Sequence, residues 1–469
     1  MNLFKTILIV AFSIGLFSCT EQKAEKKETV TEQFKPEWSS LRKHQTPQWL
    51  VDGKFGIYSH WGIWTIQYAE GYMGSGALPL DEAISKFKAE NFDAAEWAKL
   101  FKNAGAKFGG PVGWHGSKYL HWNSDLTDYT SVKMLPHRDI VGESAIEMRK
   151  QGLKTFISLH WEMDNDQWID YGKEVVDKYH PDLFWVDAGF GGTKGANHQK
   201  VLNRSKFIGE GKSTRRSVSD KHQREFLSHY FNDALKQNKE VEFIYKSYDI
   251  PPGVGMRDLE NGLLDHTAYD VWMTDMDMNI CPDWETHGWF YRDGIPLRDT
   301  NNIVDMLVDV VSKNGVMSLN VPPLADGSFS TEIENTLLGV GEWLKINGEA
   351  IYGSTPWFIF GEGPVEIKSG NYTFHHNEHF GQHKFSEQDI RFTTNKEFLY
   401  AISLGIPDTS ITIKALNTNF KMHKGFIKNV SIVGYSGTVK WIHNEEGLTV
   451  DIPNDLKAKH AICFKIETS

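Results

Sequence analysis

Residues 182–191, DLFWVDAGFG, run an apolar stretch straight into the carboxylate of Asp187 and then into glycines. A carboxylate at a strand exit either caps the following turn, here at Gly189 or Gly191, or is a working group at a strand end. Trp185, two residues earlier, falls on the same strand face, where it would wall off water and offer a flat surface to a sugar ring. A pair of carboxylates facing each other across a cleft is the machinery of glycoside hydrolysis. Asp187 is the best-placed first member. For the second, PPGVGMRDLENGLLDHTAYD offers Asp258, Glu260 and Asp265, and TDMDMNICPDWETHGWFY offers Asp275, Asp277, Asp283 and Glu285. Local pattern leaves that choice open.

These residues need elements to position them. Short apolar runs are expected as strands over 55–61, 108–114, 154–161, 182–188, 242–247, 271–276 and 316–321. Amphipathic segments separate them. FDAAEWAKLFKNAG begins with Asp93 as N-cap and Glu96 three residues on, and stops at Gly105; two further helical segments end on Gly152 and Gly315. The alternation predicts a parallel sheet, and the count favours a closed (β/α)8-like TIM barrel. His60, His115, His160, Asp187 and Lys246 each fall near the C-terminal end of an expected strand. That end is the active-site face of a barrel. After residue 350 the pattern changes to short, alternating, turn-bounded segments, which predicts an all-β C-terminal sandwich domain.

Several function classes drop out. A net charge of −11 with no long basic run argues against nucleic acid. There is no dinucleotide fingerprint and no P-loop. HHNEHFGQH, residues 375–383, spaces His376, His379 and His383 as a helix-borne metal site would, but it stands among turn-like residues and reads as a solvated loop. His60 and His115 could serve a metal in a barrel hydrolase. No strand carries an Asp-His or His-x-His motif, however, so hydrogen-bonding roles are expected for them, with no metal and no cofactor. The N-terminus, MNLFKTILIVAFSIGLFSC, has one lysine, a short apolar run and Leu16-Phe17-Ser18-Cys19. It resembles a bacterial lipoprotein signal, in which Cys19 is lipidated. The expected layout is a signal peptide at 1–18, a polar tether at 19–37, a catalytic barrel at 38–350 and a β-sandwich at 351–469, with the protein lipid-anchored in the envelope of a Gram-negative bacterium. Cys281 and Cys463 are then expected as buried free thiols.

The motifs, taken in order, resemble glycoside hydrolase family 29, the α-L-fucosidases. DGKFGIYSHWGIW is similar to the family's first-strand signature, YHPDLFWVDAGFG to the strand of its nucleophile, and LVDVVSKNGVMSLNVPPLADGSF with GEWLKINGEAIYGSTPW to its last barrel segments. The resemblance implies a retaining exo-glycosidase acting on fucose-containing oligo- or polysaccharides. Asp187 would be the nucleophile and Glu260 the acid/base, while His60, Glu70, His115 and Trp185 hold the sugar and Trp289 meets its methyl group. Trp114, where the family commonly has the first histidine of a pair, and Lys246, where it often has arginine, complete the expected binding shell. Gly71 and Ser158 also depart from the family pattern. An altered shell keeps sulfated fucose or L-galactose open as the glycone, with Lys246 and Arg257 as residues that could meet a sulfate. It also keeps open, as the alternative, a weak or inactive glycan-binding lipoprotein.

Overall fold

In the computed structural model the described residues are 32–67, 78–115, 118–160, 165–187, 218–246, 250–280, 289–371, 383–419 and 427–468. Eight parallel strands build the barrel: β1 (Phe55–Ser59), β2 (Phe108–Trp114), β3 (Lys154–Leu159), β4 (Leu183–Val186), β5 (Glu242–Tyr245), β6 (Met256–Arg257), β8 (Trp272–Asp277) and β9 (Gly315–Asn320). They run in the order β6-β5-β4-β3-β2-β1-β9-β8. A parallel bridge between Asp258 and Met273 joins β6 to β8 and nearly closes the ring. Seven of these strands match the apolar runs of the sequence. The eighth, β6, is only two residues long and falls in the glycine- and proline-rich stretch before Glu260.

The strands are almost wholly buried because helices cover their outer faces while side chains fill the barrel. Phe108, Phe156, Tyr58 and Trp185 form an internal layer, with ring centroids 5.1 Å apart for Tyr58–Phe156 and 6.3 Å for Phe108–Phe156. Gly56 makes room for it, since a Cβ there would stand 2.1 Å from the Phe108 ring. The helix Ala94–Asn103 starts as expected, with Asp93 accepting from the N–H groups of Ala95 and Glu96, while the Glu96 side chain turns to Lys99.

Two short strands, β7 (Gly262–Leu263) and β11 (Gly370–Asn371), pair with each other. The C-terminal region stacks a five-stranded antiparallel sheet on a three-stranded one. The first contains β10 (Thr355–Glu362), β12 (Ile390–Asn395), β13 (Phe398–Ser403), β15 (Ile427–Ile432) and β18 (Ile462–Thr468); the second contains β14 (Ser410–Ile413), β16 (Trp441–Asn444) and β17 (Gly447–Asp451). Phe392, Ala401, Val430 and Phe464 from one sheet share a core with Ile413, Leu448 and Val450 from the other. Cys463 lies here as a buried free thiol. Cys19 and Cys281 lie outside the described residues, as do His376 and His379.

Barrel and sandwich meet at a buried charge cluster. Asp309, on the helix Thr300–Ser312, accepts from Lys313 Nζ at 2.7 and 2.8 Å and from Arg391 Nε on β12 at 2.6 Å. Both cations also lie over the Phe360 ring, at 4.6 and 5.6 Å. Removing the shared anion would leave two cations buried without their partner. Asp309→Ala is therefore expected to cost about 3–5 kcal/mol of stability, read as a lowered midpoint in urea denaturation.

Candidate active site

Every strand of the barrel delivers a polar residue at or just beyond its C-terminal end. His60 follows β1, His115 follows β2, His160 follows β3, Asp187 follows β4 and Lys246 follows β5; Glu260 lies three residues past β6, Asp275 and Asp277 lie on β8, and Asn320 ends β9. The turn after His60 needs Gly62, whose φ is +131° and whose Cβ would stand 1.9 Å from the His121 ring.

Lys246 is the centre of the acidic side. Its Nζ lies 3.5 Å from Asp187 Oδ1, 3.0 Å from Glu260 Oε2 and 3.1 Å from Asp275 Oδ2. Its charge also faces the rings of Trp185 at 4.6 Å and Trp289 at 5.7 Å. Because Asp187 and Glu260 share one nitrogen, those two oxygens are no farther apart than the sum of their distances to it. That bound sits at the lower edge of the ~6.5–9.5 Å spacing of inverting glycosidases and accommodates the ~5–5.5 Å of retaining ones. Below them, Tyr58 donates to Asp275 Oδ2 at 3.2 Å, Asp258 Oδ1 accepts from the Asp275 N–H at 2.8 Å, and Asp258 Oδ2 accepts from Trp185 Nε1 at 2.9 Å.

The opposite side is imidazole. His60, His115 and His160 are buried, with ring centroids 5.5 Å apart for His60–His115, 5.2 Å for His60–His160 and 4.3 Å for His115–His160. Trp289 and Phe290 close over His60 at 5.4 and 5.6 Å. One ring nitrogen of each histidine lies within 4.8 Å of the others, the arrangement among the described residues best able to hold a metal ion. Neutral imidazoles suit zinc or copper, but bonds of about 2.0–2.1 Å would require the rings to draw together. A sugar hydroxyl, at hydrogen-bond lengths of about 2.7–3.2 Å, fits between such nitrogens as they stand.

The two sides titrate differently. Burial, then the neighbouring imidazoles His160 and His115, hold His60 well below the usual histidine range, so it is neutral. Burial, then His160, does the same to His115, while His160 is lowered by burial against the opposing pull of Asp187, 3.7 Å from its Nδ1. Burial also pushes Glu260 up to about 7; Lys246 opposes that shift, and the charges of Asp275 and Asp187 add to it. Asp275 is pushed well above the carboxylate range by burial and by Asp258. Lys246 stays firmly protonated, because Asp275, Glu260 and Asp187 together outweigh its own burial.

The expected site residues now separate. Asp187, Glu260, Lys246, Trp185 and Trp289 meet around one ammonium group, and His60 and His115 face them. Trp114 is fully buried at the end of β2, and it is His115 that stands against His60 and His160. Ser158 is buried on β3 and its hydroxyl has no hydrogen-bond partner among the described residues. Arg257 is exposed. Glu70 and Gly71 lie outside the described residues, as do Asp283 and Glu285. Among the other acids, Asp265 is exposed and paired with His266, while Asp277 accepts from Asn320 and from the N–H of Asn279. The sequence reading gave no role to Tyr58, Asn320 or Phe290. Asn320 was findable, since it is a polar residue ending an expected strand, as Asp187 is.

Comparison with known proteins gives this arrangement its context. The family model for alpha-L-fucosidases matches residues 21–349, and that for their C-terminal domain matches residues 382–467. The chain belongs to the α-L-fucosidases of glycoside hydrolase family 29. It is a glycoside hydrolase of the α-L-fucosidase type. Tissue alpha-L-fucosidase from Bos taurus is 27% identical to it across 95% of this chain and 92% of its own length. The Homo sapiens tissue alpha-L-fucosidase is 24% identical across 90% of this chain and 88% of its own. The crystal structure of Thermotoga maritima alpha-fucosidase in complex with fucose covers 92% of this chain and 100% of that one, with 23% identity and a TM-score of 0.71, and so shares the fold.

In this fucosidase burial raises the proton affinity of Glu260, and the charges around it adjust it further. Lys246→Met is expected to raise the Glu260 pKa above the wild-type value of about 7, and Asp187→Asn to lower it. Carboxyl ¹³C shifts followed through a pH titration check both directions.

Proposed function

We propose that this protein is a retaining exo-α-L-fucosidase in which Asp187 attacks the anomeric carbon and Glu260 is the acid/base. The observation that carries the reading is the shared Lys246 ammonium, which keeps the two carboxylates within reach of one glycosidic bond while leaving them unequal. Glu260, with its pKa pushed up to about 7, holds the proton that the leaving oxygen needs. As that proton transfers, the Asp187 oxygen bonds to the anomeric carbon and the C–O bond to the aglycone breaks. Forming the glycosyl ester removes the negative charge of Asp187, one of the charges that raise Glu260. Glu260 is then a stable carboxylate. In the second step it takes a proton from water, whose oxygen displaces Asp187.

The glycone is read as an unsulfated L-fucosyl group. The Lys246 ammonium already meets Asp187, Glu260 and Asp275, and the Asp187 charge beside it makes a poor environment for a further anion. We further propose that a lipid on Cys19, followed by the polar segment 19–37, tethers the enzyme to the envelope of a Gram-negative bacterium.

With 4-nitrophenyl α-L-fucoside and fucosylated oligosaccharides, Asp187→Ala is expected to be inactive. Glu260→Ala should lose about 10²–10⁴-fold in kcat/KM on the oligosaccharides, whose leaving groups need the proton. Wild-type kcat/KM should fall as pH rises through about 7, where Glu260 loses its proton. Turnover by Asp187→Ala equal to wild type would remove Asp187 as the nucleophile, and an unimpaired Glu260→Ala would reassign the acid/base. Labelled palmitate should enter the wild-type protein in a Gram-negative host and not Cys19→Ser; equal labelling would sink the anchor.

A further inference from the structure

Asn320 sits where β9 ends, and its amide orientation is fixed by two backbone groups that cannot exchange roles. The His60 N–H donates to Oδ1 at 2.9 Å, and the Trp289 carbonyl accepts from Nδ2 at 2.7 Å. Nδ2 also donates to Asp277 Oδ1 at 2.8 Å. Asp277 is itself held in place, since its backbone carbonyl accepts from Arg298 Nε at 2.8 Å. The atom facing His60 is therefore the amide oxygen, which has no proton to give. The His60 Nδ1 lies 3.1 Å from that same oxygen. A close contact there requires the imidazole to carry its proton on Nδ1.

A second proton on the other nitrogen would bury a charged donor with nothing to receive it. The ring is neutral, and Nε2 presents a bare lone pair. Nε2 is fully buried and makes no hydrogen bond among the described residues. It belongs to a ring that packs against His115 and His160 on the imidazole side of the site. An unpartnered buried acceptor at that position is a vacancy for a donor from the ligand.

We infer that Asn320 is a positioning residue that locks His60 in the Nδ1–H tautomer, so that Nε2 accepts the proton of one unsubstituted hydroxyl on the glycone. The sugar in this statement rests on the fucosidase reading; the tautomer does not. The specificity follows from the direction of the bond. A hydroxyl at that carbon donates, whereas a fluorine, an ether or a sulfate ester does not, and each leaves Nε2 without a partner. A site built to pair a hydroxyl rejects an analogue lacking the donor more strongly than its loss of size would suggest.

The test uses the full chain, selectively labelled with ¹⁵N-histidine. Long-range ¹H–¹⁵N spectra of the unliganded wild type should show one ring, identified by its absence in His60→Gln, with a protonated Nδ1 and a bare Nε2. In Asn320→Ser the same ring should shift toward the Nε2–H form or a mixture. Inhibition constants for L-fucose and its monodeoxyfluoro derivatives supply the second readout. One fluorine position should weaken binding to wild type by about 5- to 150-fold, the cost of an unmet buried acceptor, and that gap should largely close in Asn320→Ser. A wild-type His60 protonated on Nε2 overturns the inference outright, even if Asn320→Ser fails to fold. So does a tautomer unchanged in a folded Asn320→Ser protein, or a fluorine penalty of the same size in both. If L-fucose does not bind wild type at all, the fucosidase reading fails, and the spectra still decide the tautomer.

Discussion

Three carboxylates and one ammonium share the mouth of this barrel, and that imbalance governs the site. Like charges this close cannot all stay ionised in a medium that screens poorly. Lys246 stabilises part of the charge, and protons stabilise the rest. One acid can therefore stay anionic while a neighbour stays protonated, which is what a two-step displacement needs. The lysine does so from the end of β5, reaching Asp187 beyond β4 and Glu260 beyond β6 on its two sides. Its position depends on three consecutive strands keeping their register.

The opposite wall works on different terms. There His60 and His115 carry no charge because burial forbids it, so what they can offer is the direction of a lone pair. On the proposed mechanism, acidic residues handle the bond that breaks, and imidazoles handle the part of the sugar that does not react. The division follows chain order: β1 to β3 are each followed by histidine, while β4, β5, β6 and β8 bring the charged groups. Charged groups and neutral imidazoles occupy separate arcs of one ring.

Much of this was legible in the sequence, because seven strands are apolar runs with a polar residue at the exit. The rule that made Asp187, Lys246 and the histidines stand out is geometric, and it holds for any parallel barrel. It failed where the strand itself is invisible. Met256–Arg257 is too short and too closely flanked by glycine to show a period, so Glu260 had no strand end to be assigned to. It was reached only through the resemblance of its surroundings. The partners of Asp258 and Asn320 were illegible for another reason: each is met through a strand far away in sequence, and no local spacing records such contacts. The likeness of Asp275 to an ordinary loop acid disappears only once Lys246 and Tyr58 are seen against it.

The cluster of Asp309, Lys313 and Arg391 has a consequence beyond cohesion. Lys313 stands two residues before the start of β9, and Asn320 is the last residue of that strand. A strand is a stiff rod with a rise of ~3.3 Å per residue, so whatever fixes its near end along the barrel axis also fixes its far end. By gripping Lys313 through Asp309, the C-terminal sheet gives β9 a fixed origin, and the amide of Asn320 stands at a set length from it. A sheet outside the barrel thus serves as the datum from which one wall of the candidate site is measured.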